Sequence, residues 1–265
     1  MKGSLMLPYP FSYFSSLFSP KSMFANRHTM TLWQRLFTTI FLVALLVIPS
    51  SLQTASLETY PMENFVEGIY TPLTEQIVED LHQHVTIENH QLAYTGNGSW
   101  EQVTFGDIVS TSSDFSYQFD TQTLTIRKGQ DILTQLSYEG LTTADFSNKE
   151  SLTTAISKSW YQANRAAVGL SITLVSTIIL STNLLFILLG ASFFLFLTKK
   201  SRFFHFKTFA ECYNFSLNCL GLPTILACLI GLFGQPVTTV LTIQNILFVL
   251  CLLWVFFKTK FRDDN

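Results

Sequence analysis

Charge is scarce in this sequence, and cysteine scarcer still. Only 13% of its 265 residues are Asp, Glu, Lys or Arg, against 48% hydrophobic residues and 25 Phe. So little charge and so many rings exclude an ordinary soluble domain. The four cysteines, Cys212, Cys219, Cys228 and Cys251, all fall in the apolar C-terminal third. The long polar segment therefore has none, and a disulfide-stapled ectodomain is excluded. The thiols read as small apolar residues packed between helices. A phosphate-binding loop, a nucleophile elbow, an HExxH pair, a Cys-x-x-Cys motif and a heptad array are also missing. An enzyme with a familiar site is not expected, nor is a cofactor, a metal or a nucleic-acid partner.

What charge there is sorts by position. Lys2, Lys21, Arg27 and Arg35, then Lys199, Lys200, Arg202 and Lys207, then Lys258, Lys260 and Arg262 abut long apolar runs. The other five basic residues, Arg127, Lys128, Lys149, Lys158 and Arg165, share residues 53–165 with 15 of the 18 acidic ones. Cytoplasmic flanks of membrane helices carry excess Lys and Arg, so the three basic clusters mark the inner side. Segment by segment the net charge of -2 divides into a basic inside and an acidic outside.

The expected fold is an α-helical integral membrane protein: four transmembrane helices, with a small α+β extracytoplasmic domain between helices 1 and 2. Residues 1–35 form a cytoplasmic aromatic and basic tail, in which Phe11, Phe14 and Phe18 recur at helical spacing. That tail reads either as a short helix lying in the membrane surface or as a disordered segment. The first span is 36–52, ending near Pro49. A cleaved signal peptide is its rival, because Ser51, Thr54 and Ala55 follow, but 35 residues are long for a signal n-region and favour an uncleaved anchor. The second span is 166–198. No Gly or Pro separates it from a helical pattern of Leu152, Ile156 and Trp160, so one helix is expected to project outward from the membrane. A basic loop, 199–212, leads to spans at 213–233 and 238–257, joined by a tight turn at Gly234-Gln235-Pro236. The tail 258–265 returns the chain to the inside.

Within 53–165, Phe65, Ile69, Leu73, Ile77 and Leu81 repeat every fourth residue, which predicts one amphipathic helix. Val85 to Ile87 and Gln91 to Tyr94 flank Asn89-His90, a hairpin turn. Tyr117 and Phe119, Leu124 and Ile126, then Ile132, Leu136 and Tyr138 alternate as strands with one buried face.

Polar residues inside the spans are the candidate sites, because an unpaired polar group in hydrocarbon is costly. Glu211, Asn214 and Asn218 share a face at the inner end of span three; Asn183 lies in span two, and Gln244 with Asn245 in span four. Interhelical hydrogen bonding is the favoured role, and a polar track for a solute or proton the alternative. Glu211 is expected to pair with Lys207 at helical spacing. Ala227 with Gly231, and Gly190, read as notches for close helix contact. His82, His84 and His90, with Asp80, form the only metal-like grouping and read as surface histidines. Asn97-Gly98-Ser99 matches a glycosylation signal but reads first as a turn.

The start Phe18-Ser-Pro-Lys21, the outer segment containing Val85-Thr-Ile-Glu-Asn-His-Gln-Leu92 and the three closing spans together resemble a Firmicute membrane-protein family of unknown function. Its streptococcal members are named for maltodextrose utilisation. The resemblance implies a bacterial plasma-membrane protein linked to maltodextrin uptake or metabolism. Its partners would be the lipid bilayer and a carbohydrate transporter or other membrane protein. No catalytic residue carries over. A small membrane carrier or channel that uses Asn183, Asn214, Asn218 and Asn245 is the alternative function.

Overall fold

A computed structural model describes residues 8–98, 100–200 and 204–263, with the Lys200 side chain excepted. Lys2, Arg202 and Ser99 of the Asn97-Gly98-Ser99 signal lie outside the described residues. The chain divides into two compact units, one of residues 1–56 and 169–265, the other of residues 57–168.

The helical unit contains two short helices, α1 (Phe11–Ser16) and α2 (Pro20–Ala25), followed by a 3-10 turn at Asn26–His28 and by α3 (Leu32–Ser56). Ser19 caps α2, its hydroxyl accepting from the Ser22 N–H, and Pro20 occupies the first helical position, where no N–H is needed. Helix α3 does not end at Pro49 but carries that proline inside it. Pro49 lacks only its own N–H, and the chain beyond it is tied down because Gln53 Nε2 donates to the carbonyls of Gly231 (2.9 Å) and Gln235 (3.1 Å). Two further helices close the unit, α6 (Phe209–Gly231) and α7 (Val237–Thr259), and α5 (Lys149–Leu197) contributes its residues from Gly169 onward. Helices α3, α5, α6 and α7 are each long and apolar enough to cross a membrane. Most of α6 is buried at the centre of the unit, whereas α5 and α7 leave large side chains such as Phe186, Phe194, Val249 and Phe257 exposed.

The N-terminal segment is not a loose tail but packs on the helical unit. Phe11 and Phe18 are exposed as the spacing predicts, yet the opposite stripe, Tyr13 and Leu17, is buried in the apolar core together with Met23, Phe24 and Met30. Helical spacing identified one face. It did not reveal that the other face packs on α6.

In the second unit a short helix, α4 (Glu75–His84), precedes a hairpin of β1 (Val85–Glu88) and β2 (Gln91–Tyr94). Asn89 and His90 both adopt positive φ, the primed-turn geometry that a two-residue hairpin needs. A four-stranded sheet follows in the order β3 (Val103–Phe105), β4 (Phe115–Phe119), β5 (Thr123–Lys128), β6 (Asp131–Ser137); β3 runs parallel to β4 and the rest are antiparallel. The helix predicted from Phe65 to Leu81 is only its second half. Gly68 at φ +73° and Pro72 break the first half into turns, and the Thr74 hydroxyl caps α4 by accepting from the Ile77 N–H. Strand β6 departs from strict alternation: Ile132 and Leu133 are exposed while Leu136 is buried, and a bulge interrupts the pairing at Ile126/Arg127.

Helix α5 is continuous over 49 residues, with Leu152, Ile156 and Trp160 buried in the sheet-containing unit as the four-residue spacing predicts.

Candidate functional site

Three groups of polar side chains are candidates. The first lies within the helical unit. Asn214 Nδ2 donates to the Arg27 carbonyl (2.8 Å) and Asn218 Nδ2 to the Met23 carbonyl (3.0 Å). Both amides are fully buried, and one turn of α6 separates them. Their acceptors are backbone carbonyls where α2 and the following turn end, and a helix C-terminus leaves such groups unpaired. Each Oδ1, buried, lacks a partner among the described residues. Asn183 and Asn245 instead face one another, with amide contacts of 3.3 and 3.4 Å between α5 and α7. Gln244 Nε2 donates to Thr224 Oγ1 at 2.9 Å. The structure thus disperses the predicted polar residues among four separate contacts.

Glu211 makes no ion pair with the Lys207 side chain. Its carboxylate accepts from the Lys207 backbone N–H (2.9 Å) and from the Thr208 hydroxyl (3.2 Å), with His28 3.6 Å away. Position decides this: Glu211 lies in the first turn of α6, where unpaired N–H groups attract a carboxylate.

The second group surrounds a buried cation, Arg27, whose place in the sequence marks it only as the flank of a span. Arg27 is 2% exposed and stacks on the Phe24 ring at 4.0 Å. Its guanidinium donates to the Phe24 carbonyl (3.0 Å) and to Asp263 Oδ1 (2.6 Å). Asp263 Oδ2 also lies 3.2 Å from His205 Nδ1. Burial raises the Asp263 pKa, but Arg27 and then His205 outweigh it and hold the carboxyl below its ordinary value of 3.8. A depressed carboxylate pKa contributes stability above the ordinary value, and that stability is lost as pH falls below it. At neutral pH the tie is therefore fully formed. The available signal was Asp263 itself, one of few acids outside residues 53–165.

The third group lines a cleft of about 480 Å³ in the sheet-containing unit. Glu150, Thr154, Lys158 and Gln162 recur every fourth residue and so share one face of α5, opposite Glu139 and Asp145. The neighbouring stripe, Leu152, Ile156 and Trp160, is in the core, so one helix supplies both the domain's packing and its cleft. Asp145 is engaged in capping, accepting from the Thr142 N–H (2.7 Å) and hydroxyl (2.9 Å). Glu150, Lys158 and Gln162 are exposed, and their side chains offer both donors and acceptors. In the sequence this stripe is legible only as the polar residues beside the apolar Leu152, Ile156 and Trp160.

The histidines do not converge. His84 Nδ1 lies 3.3 Å from Asp80 Oδ1 at the end of α4, whereas His82 and His90 are exposed elsewhere on the helix and in the hairpin turn.

Four helices long and apolar enough to cross a membrane, with a small sheet-containing unit between the first two, define a class: a chain of four long apolar helices with one inserted domain. Over 263 residues, 98% of this chain and 99% of the relative, it is 48% identical to maltodextrose utilization protein MalA of Streptococcus pneumoniae (strain ATCC BAA-255 / R6). The chain belongs to that protein's family. No protein-family model and no solved structure matches it significantly.

Proposed function

We propose that this chain is a non-enzymatic, multi-pass protein of the bacterial plasma membrane that assists maltodextrin uptake or utilisation through ligand or partner binding by residues 57–168 outside the cell. Near full-length identity of 48% to a relative named for maltodextrose utilization is the observation that carries this reading. Four apolar helices support the membrane setting, and the basic clusters at their ends support cytoplasmic termini. The cleft on α5 supports a binding role. Its carboxylates, hydroxyls, amide and ammonium can donate to and accept from a polyhydroxylated chain, or from the polar rim of a transporter subunit.

Deletion of the gene from its host tests the proposal. Growth and uptake on maltodextrins should fall, and the wild-type chain should restore them better than a Glu150→Lys, Lys158→Glu variant. Normal growth on every maltodextrin would remove the carbohydrate role.

A carrier or channel is the second reading, favoured by the unpartnered Oδ1 atoms of Asn214 and Asn218. Liposomes holding the purified protein that move no solute would leave those amides a packing role.

A further inference from the structure

The contacts of the N-terminal segment run along α6 in register. Thr39, just beyond the Thr38 hydroxyl that meets Tyr9 Oη (3.2 Å), is bonded to Tyr213. Tyr13 Oη then donates to the Leu217 carbonyl (3.1 Å), and an added Cβ on Gly221 would lie within 2.5 Å of the Leu17 side chain. From there the chain turns back, Met23 meeting Asn218 and Arg27 meeting Asn214. Residues 9–27 therefore descend from the level of Tyr213 to that of Gly221 and return, a depth of about 12 Å at 1.5 Å per residue. Gly221 lies near the middle of α6, whose 23 residues span about 34 Å against a hydrocarbon core of about 30 Å.

From this register we propose that residues 9–31 form a re-entrant hairpin, inserted into the bilayer leaflet on the side of the chain termini, with Phe11, Phe14 and Phe18 against lipid acyl chains. The proposal rests on the membrane reading above. Irregular backbone persists at such depth only where protein covers it and pairs its polar groups. Leu17, at the turn, is fully buried, and Asn214 and Asn218 supply donors to carbonyls that the broken helix leaves open. The outward face is correspondingly apolar: Phe11 is 65% and Phe18 69% exposed. Beside it an apolar groove of about 290 Å³ runs between the hairpin and α3, lined by Tyr13, Phe14, Phe37 and Phe41, a fit for an acyl chain. Lys21 is the one charge between Tyr9 and Ala25, and its long stem lets the ammonium reach back toward the headgroups. At the mouth, the Arg27–Asp263 pair ties the hairpin to the end of α7.

Thiol labelling in native and inverted membrane vesicles tests this, because maleimides react with thiolates and thiolates form only in contact with water. In the full-length protein, Phe18→Cys should resist a membrane-impermeant maleimide applied from either side of the intact membrane and react once the membrane is dissolved and the chain denatured in SDS. Lys207→Cys, exposed beyond α6, should react in inverted vesicles, and Val249→Cys, on the outer face of α7, should be protected. Adding Gly221→Leu or, as a milder change, Asn218→Leu should raise the reactivity of Phe18→Cys with the impermeant reagent at least tenfold. Phe18→Cys reacting as fast as Lys207→Cys, with Val249→Cys protected, would overturn the hairpin and leave the four spans standing. Reaction of Val249→Cys with the impermeant reagent would overturn the membrane reading as well.

Discussion

At the scale of single residues, the buried amides differ in what they hold. Asn218 is fully buried and its donor completes a backbone carbonyl, so Asn218→Leu leaves that carbonyl unpaired and should cost about 1–3 kcal/mol. Asn183→Leu breaks only long contacts with another side chain, and amide bonds of that kind average about 0.6 kcal/mol in membrane bundles. Thermal unfolding in detergent should rank the two variants in that order; equal losses would show that Asn218 does no more than Asn183. Tyr70 provides a pH test in the sheet-containing unit. Burial is the main force raising its pKa, to about 12, with Glu63 adding and the Ser157 hydrogen bond opposing. The neutral phenol thus stabilises the fold fully below its unfolded value of about 10 and loses that effect as pH rises through 12. Denaturant midpoints should fall more steeply between these limits in the wild type than in Tyr70→Phe. Parallel curves would refute the assignment.

At the scale of elements, small residues act where another helix arrives and not elsewhere. A Cβ on Gly231 would lie 2.8 Å from Pro49 Cβ, and the rigid pyrrolidine cannot turn aside, so α3 and α6 must separate. Gly231→Ala should therefore destabilise by about 1–3 kcal/mol. Gly190 meets nothing within 4 Å, and Gly190→Ala should be neutral or stabilise α5 by up to about 1 kcal/mol. Unfolding midpoints of the two variants on the same side of wild type would contradict this. Sequence alone put both glycines in the same category, because spacing on one helix says nothing of its neighbour. Helix α4 shows the converse limit. Its apolar spacing is real, yet the same period extended back over Gly68 and Pro72, where backbone conformation overrides side-chain pattern.

At the scale of the whole molecule, Phe186, Phe194, Val249 and Phe257 leave an exposed apolar surface along α5 and α7, of the kind that contact with lipid would cover. The protein should stay with membranes after alkaline carbonate washing and be released only by detergent; release by carbonate would exclude four spanning helices. Run lengths, basic clusters, the Asn89-His90 hairpin and the uninterrupted helix into α5 were determined by sequence, because each depends on neighbours a few residues apart. Tertiary structure alone decided that Arg27 meets Asp263 across 236 positions, and that Asn214 and Asn218 serve the carbonyls of a folded-back N terminus. It also assembled the α5 cleft with residues that follow β6. These features rest on which polar groups a broken helix leaves unpaired and which distant chain covers them, and no local pattern encodes that.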